Sequence, residues 1–123
     1  MNIKQLALKY PELFVDCFDF SVGLGWLPIV DTLCSMIRRN NEQHPNRKPV
    51  VFHQIKEKFG NLRIYTNIVI NEVDEWIKFA ENLSYNVCEY CGKYSDVCLT
   101  GWIKNYCTYC AELSGKPFQK KDE

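Results

Sequence analysis

The chain has 123 residues, and its 15 Lys and Arg are balanced by 15 Asp and Glu, which gives a formal net charge of zero and an isoelectric point near 6.7. Hydrophobic residues make up 46% and aromatics 14%; this excludes a disordered chain, and no apolar run approaches the roughly twenty residues needed to span a bilayer. Chains of this length bury about two thirds of their unfolded surface, so one folded unit is expected.

The charge balance also holds locally. Residues 1–50 carry six basic and five acidic groups, 51–87 four and five, and 88–123 five and five. No segment has the cationic excess that binding along a phosphate backbone normally draws on. The N-terminal Met1-Asn2-Ile3-Lys4-Gln5-Leu6 lacks the apolar run and small-residue cleavage site of a secretory signal, and a cytoplasmic protein is expected.

In chain order, Ile3, Leu6, Ala7 and Tyr10 form a short apolar stripe, and Pro11 suits the first turn of a second short helix carrying Phe14, Cys17 and Phe18. Gly23 and Gly25 punctuate the chain before Trp26-Leu27-Pro28. Ile29, Val30, Leu33, Cys34 and Ile37 then recur at helical spacing, which predicts a core-facing helix ending near Asn40 with Arg38 and Arg39 in its last turn. Asn40 to Pro49 has the composition of an exposed connection. His44 is expected to be solvated there, and His53 to be a partly buried strand residue.

Val50 to Phe59 and Leu62 to Thr66 read as two strands joined by a two-residue Gly60-Asn61 turn. This turn predicts that Phe59 faces Leu62, Glu57 faces Ile64 and Ile55 faces Thr66 on an apolar side. Lys58 then lies opposite Arg63, and Lys56 opposite Tyr65, on a cationic side. Like charges across a strand pair call for an anion, which either the acids of the next helix (Glu72, Asp74, Glu75, Glu81) or an acidic or phosphate-bearing partner would supply. Asn71 is placed as the cap of a helix reaching about Tyr85, with Val73, Trp76, Ile77, Ala80 and Leu83 as its apolar stripe against the hairpin.

The seven cysteines carry the strongest signal. Cys88-Glu89-Tyr90-Cys91 and Cys107-Thr108-Tyr109-Cys110 are two Cys-x-x-Cys pairs separated by fifteen residues, the spacing of one structural tetrathiolate zinc site. The odd cysteine count and the N-terminus argue against disulfides. Cys17 and Cys34 are expected to be small core hydrophobes, and Cys98 to pack under the metal site. Gly92 permits the turn of a metal knuckle, Val97–Thr100 and Trp102–Tyr106 a second hairpin, and Cys107–Leu113 a short helix. That order resembles a treble-clef finger, and a zinc ribbon shares the same cysteine spacing. The predicted class is thus α+β: a helical and hairpin core over residues 1–87, a zinc lobe packed on it over 88–114, and a flexible tail over 115–123.

Gly25-Trp26-Leu27-Pro28, Lys56-Glu57-Lys58-Phe59-Gly60-Asn61-Leu62-Arg63-Ile64-Tyr65 and the double Cys-x-x-Cys, in this order, resemble a family of small uncharacterised phage and prophage proteins. The likeness covers most of residues 23–110, and the Lys-Glu-Lys-Phe-Gly stretch is its specific part. The resemblance implies a viral or prophage origin and, by analogy, a role in managing the host.

Three function classes follow. The expected one is a non-enzymatic binding module that engages a host protein, as an inhibitor of a defence or regulatory system. Lys56, Lys58, Arg63, Tyr65, Trp102 and Tyr109 are its candidate partner-binding residues, aromatics being common at interface hot spots. Tyr90, Tyr94 and Tyr106 lie near the metal as well and can equally pack the lobe. The alternative is an accessory protein binding nucleic acid through the same cations, with an aromatic stacking on a base. An enzyme is not expected: four thiolate ligands close the metal to water, no His-Glu-x-x-His, phosphate loop or nucleophile elbow is present, and His53 with Glu57 would face apolar residues.

Overall fold

A computed structural model describes residues 1–121. Among them α-helices and two small sheets mix in an α+β arrangement. The first helix, α1 (Ile3–Lys9), opens on a capping box in which the Asn2 side chain accepts from the Gln5 amide and the Gln5 side chain answers at the Asn2 amide. Pro11–Leu13 is a single 3₁₀ turn in place of the helix expected from Pro11 to Phe18, and β1 (Asp19–Ser21) follows it. Three residues carry no readable period. This strand exists because it pairs in parallel with β2 (Phe52–Lys58), and the Phe18 amide donates to the His53 carbonyl at 3.0 Å.

A second 3₁₀ turn, Leu24–Trp26, leads into α2 (Leu27–Gln43), which runs three residues past the expected end at Asn40. Tertiary partners hold the extra turn. Asn40 is buried and donates to Glu72, and the Asn41 side chain bonds both the amide and the carbonyl of Val50. Arg38 and Arg39 therefore fall before the last turn, and Arg38 stacks over Tyr10 and pairs with Glu12.

The hairpin of β2 and β3 (Asn61–Thr66) turns one residue earlier than Gly60-Asn61: Phe59 and Gly60 are its two central residues, both with positive φ, at 52° and 85°. Lys56 therefore opposes Arg63, Ile55 opposes Ile64, Glu57 opposes Leu62, and Lys58 opposes Asn61. Moving a turn by one residue shifts each pairing by two, so the strand residues keep their faces while the partners change; Phe59, expected to face Leu62 on the apolar side, instead lies exposed in the turn. A bulge between Phe52 and Gln54 lets Phe52 and Ile55 both point inward.

α3 (Asn71–Ser84) begins one residue beyond its N-cap, which is Ile70 and not Asn71. Val73, Ile77 and Ala80 are buried with Ile55, Leu62 and Ile64, and with Leu6, Leu13, Trp26, Val30, Leu33 and Ile37 from the N-terminal helices. α3 also covers the free edge of β3: the Leu62 amide donates to Ser84 Oγ and the Ile64 amide to Glu81 Oε2, both at 3.0 Å. Cys34 is fully buried and Cys17 packs against this core, as small hydrophobes do.

The remaining elements build the second lobe: β4 (Val97–Leu99), β5 (Lys104–Tyr106), α4 (Thr108–Ser114) and β6 (Phe118–Lys120), with sheet order β5-β4-β6. The expected free tail over 115–123 is corrected for Phe118–Lys120, which pair antiparallel with β4 because β4 would otherwise offer an open edge. Residues 122–123 lie outside the described residues. Val97, Leu99 and Ala111 form the lobe's small apolar cluster; Cys98 points to the other face of β4, so it does not pack under the cysteine cluster. No helix among the described residues is long and apolar enough to cross a membrane.

Candidate metal centre

Each of the two cysteine pairs is delivered by a different local structure. At the first, Val87 and Tyr94 bridge across a tight loop in which the Cys88 amide donates to Lys93 O and the Gly92 amide to Cys88 O, with Gly92 at φ +86°. At the second, Cys107 occupies the N-cap of α4, and its Sγ accepts from the Cys110 amide at 3.4 Å. Asp96 fastens the same helix start by accepting from both the amide and the hydroxyl of Thr108.

The four sulfurs of Cys88, Cys91, Cys107 and Cys110 all lie within 4.8 Å of one another, and Cys91 and Cys107 are 3.6 Å apart. A tetrahedral thiolate site with metal–sulfur bonds of about 2.3 Å needs sulfur–sulfur edges of about 3.8 Å. The cluster is close to that geometry and could hold a metal ion once its longer edges contract. Burial pushes the Cys88 thiol up, and burial together with the neighbouring thiols does the same to Cys110. Burial also acts upward on the exposed Cys91, but the Lys93 amide and the surrounding thiols outweigh it and hold that thiol below its usual range. Thiolates gathered this closely repel one another, and a bound cation would supply the compensating charge.

The cluster is bolted to the core by polar groups that sequence reasoning passed over. Glu89, inside the first cysteine pair, accepts through its carbonyl from the Gly25 amide at 2.8 Å and through its carboxylate from the Gly23 amide at 2.9 Å. Its second carboxylate oxygen accepts from Lys104 Nζ at 3.1 Å, and Lys104 reaches Glu57 on β2 at 3.0 Å. Lys104 and Glu89 are buried, only 7% and 6% exposed, and Glu57 is half-buried beside them. Burial alone would lower the Lys104 ammonium, but the hydrogen bond to Glu57 and the charge of Glu89 keep it above the ordinary lysine range. Among the described residues no buried side-chain nitrogen or oxygen is left without a partner.

Gly25 is what allows this approach. A Cβ there would lie 2.1 Å from Cys88 O and 2.5 Å from Gly92 N, so no other residue fits between the 3₁₀ turn and the knuckle. Trp26 adds a bond from Nε1 to Val87 O at 2.9 Å, and Asn105 donates to Gly60 O at 2.7 Å. The Gly25-Trp26 and Glu57-x-x-Gly60 stretches singled out in the sequence thus meet the cysteine pairs at one junction. The sequence signals that could have shown this were the paired glycines, the acid inside a Cys-x-x-Cys pair and the lone acid on an apolar strand face.

The candidate partner-binding residues divide in space. Lys56, Lys58, Arg63 and Tyr65 share the outer face of the hairpin, opposite to Glu57. Among the described residues none of the three cations makes an ion pair. The acids of α3 do not lie over them as ion-pair partners: Glu72 pairs with Arg47, Asp74 with Lys78, and Glu81 accepts from the Ile64 amide. Asp19 is the acid on that face. The hydrogen bonds of Gln54 and Ser21, and then the charge of Lys56, hold its carboxyl below the usual range. Trp102 sits instead in the β4–β5 turn, its ring centroid 4.4 Å from Lys104 Nζ and 4.2 Å from Lys116 Nζ. Tyr109 is an exposed residue of α4, and Tyr90 and Tyr94 are exposed on the knuckle, whereas Tyr106 is half-buried and meets Tyr90 edge-on.

Comparison with protein-family profiles, with curated proteins and with solved structures finds no match to this chain.

Proposed function

We propose that the chain is a non-enzymatic binding module, stabilised by one structural zinc in a treble-clef-like lobe, that engages a host protein through the outer face of its hairpin. Four thiolates with neither histidine nor carboxylate among them favour zinc, and a set closed by cysteine leaves no coordination position for a reacting water. The order of knuckle, hairpin and helix, with the last ligand pair at the helix start, supports the treble-clef reading over a ribbon.

The observation that carries the binding reading is the contrast between two sets of charges. The molecule pairs its buried Lys104 with two carboxylates, yet it leaves exposed Lys58 and half-buried Lys56 and Arg63 together on the outer hairpin face without an ion pair among the described residues. An acidic protein surface complements that face, and Tyr65 supplies an exposed aromatic on it. Inhibition of a host defence or regulatory protein is the role in which such a small rigid binder would act.

Reversing two of the charges, Lys58→Glu with Arg63→Glu, tests this. Folding is expected to stay nearly intact, while capture of the partner from host lysate is lost in nuclease-treated and untreated arms alike. Unchanged capture removes this face from the site. Capture that disappears with nuclease moves the assignment to nucleic acid.

A further inference from the structure

The tip of the hairpin departs from what its own turn geometry favours. A two-residue turn with positive φ at both positions selects Asn, Asp or Gly, and here the first position is Phe59, at φ 52°. A bulky residue in that conformation costs stability. Burial does not repay the cost, because Phe59 is 70% exposed and its one ring contact with a cation is the neighbouring Lys58 Nζ at 5.8 Å.

The surroundings nevertheless hold the tip firmly. The Gly60 amide donates to Glu57 Oε2 at 2.7 Å, Gly60 O accepts from the buried Asn105, and Asn105 also reaches Asn61 Oδ1 at 3.3 Å. Ile103 lies directly against Gly60. Glu57 in turn is held by Lys104. An exposed aromatic is thus presented at a fixed position by the metal-bearing lobe, with Lys58 beside it and Lys56 and Arg63 further along the same strands.

We infer that Phe59 is the anchor of the interface, entering an apolar socket rimmed by carboxylates on the partner protein. This rests on the protein-binding reading of the hairpin face. Fixed aromatics flanked by cations are the residue types that carry interface energy, and an anchor ordered in advance loses little freedom on binding. The charge of the flanking residues selects the acidic rim. The rival anchor is Phe79, also 70% exposed, which borders an apolar groove of about 410 Å³ between α2 and α3.

The test uses the full, metal-loaded chain with the photo-reactive p-benzoylphenylalanine at position 59 or at position 79, irradiated in a bacterial lysate, with adducts mapped by mass spectrometry. Expected is an adduct from position 59 to one protein, at a site flanked by Asp and Glu, and its loss when Lys58→Glu and Arg63→Glu are added. A companion variant, Phe59→Asn, is expected to leave the melting temperature unchanged or raised while partner retention falls roughly tenfold or more. A residue with only a structural role would not produce that opposition. An adduct from position 79 alone, or full retention by Phe59→Asn, overturns the anchor and leaves the cationic face standing. An adduct from position 59 that survives charge reversal keeps the anchor and overturns the acidic rim. Adducts to nucleic acid, or none from either position, overturn both.

Discussion

The two lobes of this molecule are held together by different physics. In the first, seventeen buried residues from Leu6 to Ala80 form one apolar cluster drawn from three helices and a sheet. In the second, the apolar clusters are Val97, Leu99 and Ala111 on one side and the cysteines themselves on the other. A lobe with so little apolar burial cannot offset its own chain entropy and needs a staple. On the proposed metal reading, the core is expected to stand alone and the lobe to depend on its ion, with the polar junction linking the lobe to the hairpin.

The comparison breaks most visibly if the metal is removed. Chelation, or Cys107→Ser, is expected to unfold residues 88–114, since the metal contributes on the order of 10 kcal/mol to such sites. The amides of α2 and β2 should stay protected. Hydrogen exchange resolves the two lobes, and simultaneous loss of protection in both would show that they form one cooperative unit.

The junction comes next in size. Lys104→Met leaves the buried Glu89 and the half-buried Glu57 without their cation, which costs about 3 kcal/mol or more, and denaturant unfolding should show the loss. Gly25→Ala places a methyl 2.1 Å from Cys88 O and is expected to cost about 3 kcal/mol, at the upper end for overpacking. The two variants sharpen the comparison in one respect: both should weaken docking while zinc stoichiometry, measured by elemental analysis, stays at one per chain. Loss of zinc in Gly25→Ala would place the glycine in the metal site itself.

What the sequence disclosed follows the same division. Periodicity identified α2, α3 and the hairpin, because apolar repeats at 3.6 and 2 residues are local, and the spacing of Cys88, Cys91, Cys107 and Cys110 identified the four side chains that come together and could hold a metal. Long-range polar contacts leave no such trace. Glu57 meets Lys104 across 47 positions, and Gly23 meets Glu89 across 66. The same contacts explain the displaced turn. Local preference favours Gly60-Asn61, but Asn105 captures both Gly60 O and the Asn61 side chain, which fixes Phe59-Gly60 as the turning pair. β1 and β6 were hidden for a related reason: each has three residues and exists through its neighbour.

Acid separates the lobes with the smallest energies. In the core, the hydrogen bond from Arg38 holds the Glu12 carboxyl below the usual glutamate range. A carboxylate whose folded pKa is depressed stabilises the fold above its unfolded pKa, near 4.3, and that contribution disappears as pH falls through the lower folded value. For an exposed pair the effect stays below about 1 kcal/mol. In the lobe, Asp96 behaves in the same sense, because Thr108 holds its carboxyl low. There, however, protons also compete with the metal for the thiolates, and this competition begins at higher pH than carboxylate protonation. On acidification the lobe is therefore expected to lose a bound metal and its structure first, with the core losing only the small Glu12 contribution at lower pH. Glu12→Gln should flatten the second step and leave the first where it was. Two-probe titration in a Trp26→Phe, Trp102→Phe background, following released metal with a chelating dye and the core through Trp76 fluorescence, checks the order. Coincident transitions would mean that the junction, and not the metal, governs the stability of both halves.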